Sequence, residues 1–200
     1  MGFRYSSKEV KMNLINKQLT PNPYSRPQRK LNEIKGLVLH WVGNPGTSAL
    51  FNRRYFEKRK SGKNGYGSAH YIVDLNGDVV LCIPPNEMAY HVGADHYSSY
   101  AFLAFGPYPN DCTLGIEMCH TDWEGRYTEE TVGATMELCA CLSEQFNLDP
   151  VGSITTHHAI TGKICPKWYV NHPEDLTNFC LGVEALGMQL NAEIQDWSDS

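Results

Sequence analysis

Apolar residues along this chain gather in short runs between polar stretches rich in glycine and proline, and the period within each run predicts its element. Leu37-Val38-Leu39-His40 is the first strong strand. Thr47 to Lys60 follows as a helix expected to bury Leu50, Tyr55 and Phe56, closed by Gly62. His70 to Asp74 and Val79 to Ile83 flank Asn76-Gly77, two residues that tolerate positive φ, so this stretch predicts a β-hairpin. Thr113 to Cys119 reads as a buried central strand carrying one carboxylate, Glu117. Beyond it, Val132, Met136, Cys139, Leu142 and Phe146 recur at helical spacing, with Thr128 as N-cap and Glu129 and Glu130 in the first turn, where the helix dipole favours negative charge. Ser153 to His158 predicts another strand. Pro173 opens a last helix, with Leu176, Phe179, Cys180, Val183 and Leu186 along one face.

The remaining stretches carry weaker patterns. Residues 1–34 read as a short helical start and then a polar segment with Pro21, Pro23 and Pro27 that wraps the surface. Residues 84–112 form a long loop holding Tyr97, Tyr100 and Phe102, and long loops inside compact domains are usually functional. The acidic end from Glu193 to Ser200 is expected to fray. Strands alternating with helices, with a hairpin inside the sheet, place the chain in the α/β class. The expected architecture is a single three-layer domain, a central mixed β-sheet flanked by helices over residues 35–190, with a wrapping segment before it and an acidic tail at 191–200.

Composition narrows the function classes. The chain has 200 residues, 42% hydrophobic and 20% charged, which suits one domain with a substantial core. A net charge of −5 gives no reason to expect a nucleic-acid partner. The basic run at residues 53–63, with Arg53, Arg54, Lys58, Arg59, Lys60 and Lys63, reads as a solvated helix face, contact with an anionic polymer being the alternative. No run reaches the roughly 18 apolar residues of a membrane span, and the N-terminus lacks the apolar core of a signal peptide. Synthesis in the cytoplasm and a monomeric state are the expectations. Met1 to Ser6 matches the loose myristoylation pattern, which is too short to carry weight. The chain has seven cysteines, an odd number, and reduced thiols are expected. Cys139 and Cys141 lie two apart on a helix, point away from each other, and are assigned to packing.

The stretch from Thr156 to Pro166 is the chemically densest, combining histidine, lysine and cysteine around a glycine turn. Imidazole and thiolate are the commonest zinc ligands, and a catalytic zinc keeps three protein ligands and one open position. His40, ending an apolar strand, offers a third ligand where ligands commonly sit, at the mouth of a sheet. The alternative is a set of buried residues with no metal. Glu117 is costly inside an apolar strand unless something pairs with it or needs it, which leaves an ion pair or general-base chemistry. Lys163 either faces solvent in a turn or donates to a developing oxyanion. Tyr90 and His91 are candidates to line a substrate groove, a packed loop histidine being the alternative.

The His40 strand, the Glu117 strand and the HHAITGKICP run, in this order, resemble the zinc-dependent N-acetylmuramoyl-L-alanine amidase family over about residues 34–170. That group includes phage lysozyme-type amidases, prophage endolysins and peptidoglycan recognition proteins. The resemblance implies Zn2+ held by His40, His157 and Cys165, since the family motif has a histidine eight residues before the cysteine and a lysine two before it. Adjacent strand residues face opposite ways, so His158 would support the ligands or face the core. It further implies Glu117 as base, Lys163 as oxyanion donor and bacterial peptidoglycan as the partner, cut between the lactyl group of N-acetylmuramic acid and L-alanine. Some members carry a catalytic tyrosine just before the hairpin histidine. Here Ala69 precedes His70, which moves the base work onto Glu117 and leaves His70 a structural residue. A non-catalytic recognition module is the rival, but such relatives usually lose the cysteine, and Cys165 is present. A structural zinc domain would need a fourth protein ligand. Release by lysis or by a sporulating cell would bring such an enzyme to the wall.

Overall fold

The computed structural model describes residues 12–198, with side chains through residue 189. Six strands form one sheet in the order β1-β4-β3-β5-β2-β6, where β1 is Leu14–Asn16, β2 Gly36–Trp41, β3 Tyr71–Val73, β4 Val79–Leu81, β5 Thr113–Met118 and β6 Ile154–Thr156. All neighbouring pairs are parallel except the β3/β4 hairpin, so the sheet is mixed, as expected. The hairpin turns at Gly77, whose φ of 84° a side chain would resist.

Alternation along the two central strands sorts the sheet into two faces. Leu37, Leu39, Leu114, Ile116 and Met118 join a core with the helices α3 (Glu129–Phe146) and α7 (Pro173–Ser198). Thr128 caps α3 by accepting from the Thr131 N–H, and Leu176, Phe179, Cys180, Val183 and Leu186 of α7 turn inward, as their spacing predicts. The opposite face carries Val38 and His40 on β2, and Thr113, Gly115 and Glu117 on β5. It is covered by α1 (Ala49–Lys58), α2 (Ser99–Phe105) and α5 (His157–Thr161) through two smaller clusters. A further short helix, α4 (Pro150–Ser153), precedes β6, and α6 (Lys167–Asn171) follows α5.

Several expectations need correction. In α1 only Ala49, Asn52 and Phe56 are buried; Leu50 and Tyr55 are exposed, because the inward stripe of a 3.6-residue period falls on 49, 52 and 56. Two members of the basic run face inward: Arg53 donates to the Lys17 and Gln18 carbonyls, and Arg59 to those of Asn64 and Tyr66. The segment before β2 forms strand β1 and inserts Leu19 into the core, and the Arg26–Glu87 ion pair at 2.7 Å holds it down. The helical start lies partly in residues 1–11, outside the described residues. The loop at 84–112 contains α2. β6 stops at Thr156, whose side chain caps α5 by accepting from the Ala159 N–H, so His157 and His158 occupy the first turn of a helix instead of a strand. The backbone of α7 continues to Ser198, through most of the acidic end, while Asp199 and Ser200 lie outside the described residues.

Candidate active site

The C-terminal ends of parallel strands β2, β5 and β6 open into a cleft of about 890 Å³, the usual place for a site in such sheets. His40 and Glu117 are register partners on adjacent strands, so both project from the same face. β6 delivers His157 at the start of α5. The chain then turns at Gly162, in the left-handed region at φ 79°, and brings Cys165 back beside His40. His158 closes this turn: its backbone N–H donates to the Cys165 carbonyl at 2.8 Å, and its Nδ1 lies 3.1 Å from the Lys163 carbonyl oxygen.

His40, His157 and Cys165 are all buried, and their ligand atoms lie within 4.8 Å of one another; no other such group is present among the described residues. His40 Nδ1 stands 3.1 Å from His157 Nδ1 and 3.7 Å from Cys165 Sγ. Ligands at zinc bond lengths of about 2.0–2.3 Å in a tetrahedron would sit roughly 3.3–3.6 Å apart. The two distances from His40 bracket that range, and the donor set of two imidazoles and a thiol suits that ion. One more observation agrees with a site for a cation: Glu117 Oε2 is buried with no hydrogen-bond partner, a costly condition in a finished core, and His157 Nε2, on the side of its ring away from His40, is unpartnered too. Tyr127 Oη and His120 Nε2, near the same end of β5, are orphaned likewise.

Burial governs the protonation of these groups. It pushes the Glu117 carboxyl up to about 8, against the partial offset of Lys163. It pulls His157 down to about 4, with Lys163 adding to the effect, and holds His40 well below the ordinary imidazole range, helped by the neighbouring His157. It raises the Cys165 thiol to about 12, with Glu117 adding to the rise. Burial thus favours the neutral form of each of these groups. A divalent ion would favour thiolate and carboxylate, so metal binding and proton release are coupled here.

Of the residues singled out from the sequence, His40, Glu117, His157, Lys163, Cys165, Tyr90 and His91 all line the one cleft. Lys163 is exposed on the turn. Tyr90 packs against Tyr66 with ring centroids 4.9 Å apart, giving an aromatic wall. His91 is buried, and both its ring nitrogens are engaged by protein groups. His70 is structural in its contacts: Nδ1 accepts from the Gly115 N–H at 2.9 Å and Nε2 donates to the Glu87 carbonyl at 2.9 Å. Gly115, Thr113 and Tyr127 were not singled out from the sequence. Gly115 had a readable signal, since an isolated glycine inside an apolar strand marks close approach by another group.

Comparison with known proteins finds matches over most of the chain. The family model described as N-acetylmuramoyl-L-alanine amidase matches residues 30–168. A probable N-acetylmuramoyl-L-alanine amidase of Bacillus licheniformis is 36% identical over 173 residues, covering 86% of this chain and 48% of that protein. The N-acetylmuramoyl-L-alanine amidase BlyA of Bacillus subtilis (strain 168) is 35% identical over 176 residues, covering 85% and 46%. The chain thus spans about half the length of the curated relatives it matches. Among solved structures, the PlyG catalytic domain superposes with a TM-score of 0.70 at 18% identity, covering 88% of this chain and 96% of that one. A mutant endolysin from Bacillus subtilis gives 0.67 at 21%, covering 86% and 99%. These two share the fold.

Proposed function

We propose that this chain, which belongs to the N-acetylmuramoyl-L-alanine amidase family, hydrolyses the amide joining the lactyl group of N-acetylmuramic acid to the L-alanine of the peptidoglycan stem peptide. The observation that carries the reading is the convergence of His40, His157 and Cys165 on one point beside the unpartnered carboxyl of Glu117.

His40, His157 and Cys165 would hold Zn2+, three protein ligands being the number that leaves a position open for chemistry. When bound, zinc polarises the scissile carbonyl and lowers the pKa of water toward neutrality. Glu117 takes a proton from the attacking water through Oε2, which no protein group occupies, and returns it to the amine as the C–N bond breaks. Lys163 at the cleft rim donates to the oxygen on which negative charge develops. Tyr90 lines the groove for the stem peptide. The products are a lactyl carboxylate on the glycan and a peptide with a free L-alanine amine.

Mass spectrometry of a purified peptidoglycan digest, with and without chelator, tests this reading. Chelator-sensitive release of stem peptides beginning with L-alanine is expected. Binding of the polymer without cleavage, zinc supplied, would instead make the chain a recognition module and remove the roles of Glu117 and Lys163.

A further inference from the structure

The two ring nitrogens of His40 have different surroundings, and the difference is set by residues other than His157 and Cys165. Nδ1 faces His157 and Cys165, whereas Nε2 faces His91 Nδ1 at 3.1 Å. His91 Nε2 in turn lies 3.2 Å from the Thr113 carbonyl oxygen and 3.1 Å from Thr113 Oγ1. A carbonyl oxygen can only accept. The Thr113 hydroxyl spends its hydrogen on the Pro109 carbonyl at 2.7 Å, so toward His91 it too offers only lone pairs. His91 Nε2 must therefore carry the hydrogen. Buried among other imidazoles and bonded to no carboxylate, the ring is neutral and has a single N–H. Its Nδ1 is then bare and accepts from His40 Nε2–H, which leaves His40 Nδ1 bare and aimed at the other two candidate ligands.

We propose that His91 is a positioning residue that fixes the tautomer and ring orientation of His40, presenting Nδ1 as a ready lone pair to the metal. The metal half of this statement rests on the zinc reading above; the hydrogen-bond half does not.

His91 is itself tightly held. The backbone N–H groups of His91 and Val92 both donate to Asn110 Oδ1, at 3.1 and 3.0 Å. Its ring lies on β5 at Gly115, where an added Cβ would come within 2.5 Å of the ring Cγ. The chain thus gives up a side chain in a central strand to seat this imidazole. Outer partners of metal-binding histidines typically change metal affinity about 10–100-fold when removed.

Nitrogen-15 NMR of the imidazoles in the metal-free full chain near neutral pH reads the tautomers directly. His40 is expected with its hydrogen on Nε2 in the wild type, and as a mixture in His91→Leu. His91→Asn, whose Oδ1 stands where Nδ1 was, is expected to restore the wild-type tautomer. Competition for zinc against a chromophoric chelator should show an affinity loss of about 10–100-fold in His91→Leu and recovery of most of it in His91→Asn. A hydrogen on His40 Nδ1 in the wild type would overturn the proposal, as would wild-type zinc affinity in His91→Leu or equal losses in both variants. Correct tautomers in a wild-type protein that binds no zinc would refute the metal reading and leave the His91–His40 bond standing.

Discussion

The two halves of the cleft floor are built on opposite terms. On the histidine half, a chain of hydrogen bonds runs from Pro109 through Thr113 and His91 to His40, and each step has a matched partner. On the other half, Glu117 Oε2 and His157 Nε2 are buried with none. Buried polar groups in a finished core are normally paired, and local violations gather where a site spends stability on chemistry. The satisfied half is organised before any ligand arrives. The unsatisfied half is organised for what arrives.

If that division is right, substitutions on the two halves should fail differently. Cys165→Ser, which weakens the proposed metal-holding set itself, should lower both zinc occupancy and peptide release, the latter by at least about 10³-fold. Metal analysis alongside the digest measures both, and full release would break the assignment. Lys163→Ala should leave zinc occupancy intact while slowing release about 10²–10³-fold, the usual cost of one oxyanion donor. Equal loss of metal would place Lys163 on the wrong half.

The satisfied half should also show in acid. Burial holds His70 at about 4 against an ordinary 6.5. Above pH 6.5 the histidine is neutral in both folded and unfolded chains and costs nothing. As the pH falls from 6.5 toward 4, only the unfolded chain takes up the proton, so stability declines, by about 3 kcal/mol for this group once both are protonated. Urea midpoints of the metal-free protein should fall across that window, and His70→Gln should flatten the slope. Midpoints independent of pH there would contradict the buried neutral ring. The smallest effect is expected far from the cleft: Thr128→Ala removes the cap of α3 and should cost about 1 kcal/mol with zinc affinity unchanged.

The same division explains what the sequence revealed. β2, β5, the hairpin, α3 and α7 were legible because each carries one strong period, and the candidate ligands because His40 ends an apolar strand while His157 and Cys165 share one chemically dense run. α2 and β1 were not, since short apolar stretches among glycine and proline carry no decisive period. The reading of His157 as a strand residue failed at Thr156, where a side-chain cap starts a helix and outweighs the apolar run. Leu50 and Tyr55 were misplaced by one face of a helix whose apolar residues are spread around it. Glu117 stood out as a charge in an apolar strand, whereas the support under His40 comes from residues far apart in sequence, each ordinary alone.

The most direct test of separable halves is a paired measurement on Glu117→Gln: zinc content and release of L-alanine-initiated peptide from the same preparation. One zinc per chain with release reduced about 10²–10⁴-fold is predicted. Loss of zinc together with release, or release at the wild-type rate, would contradict it.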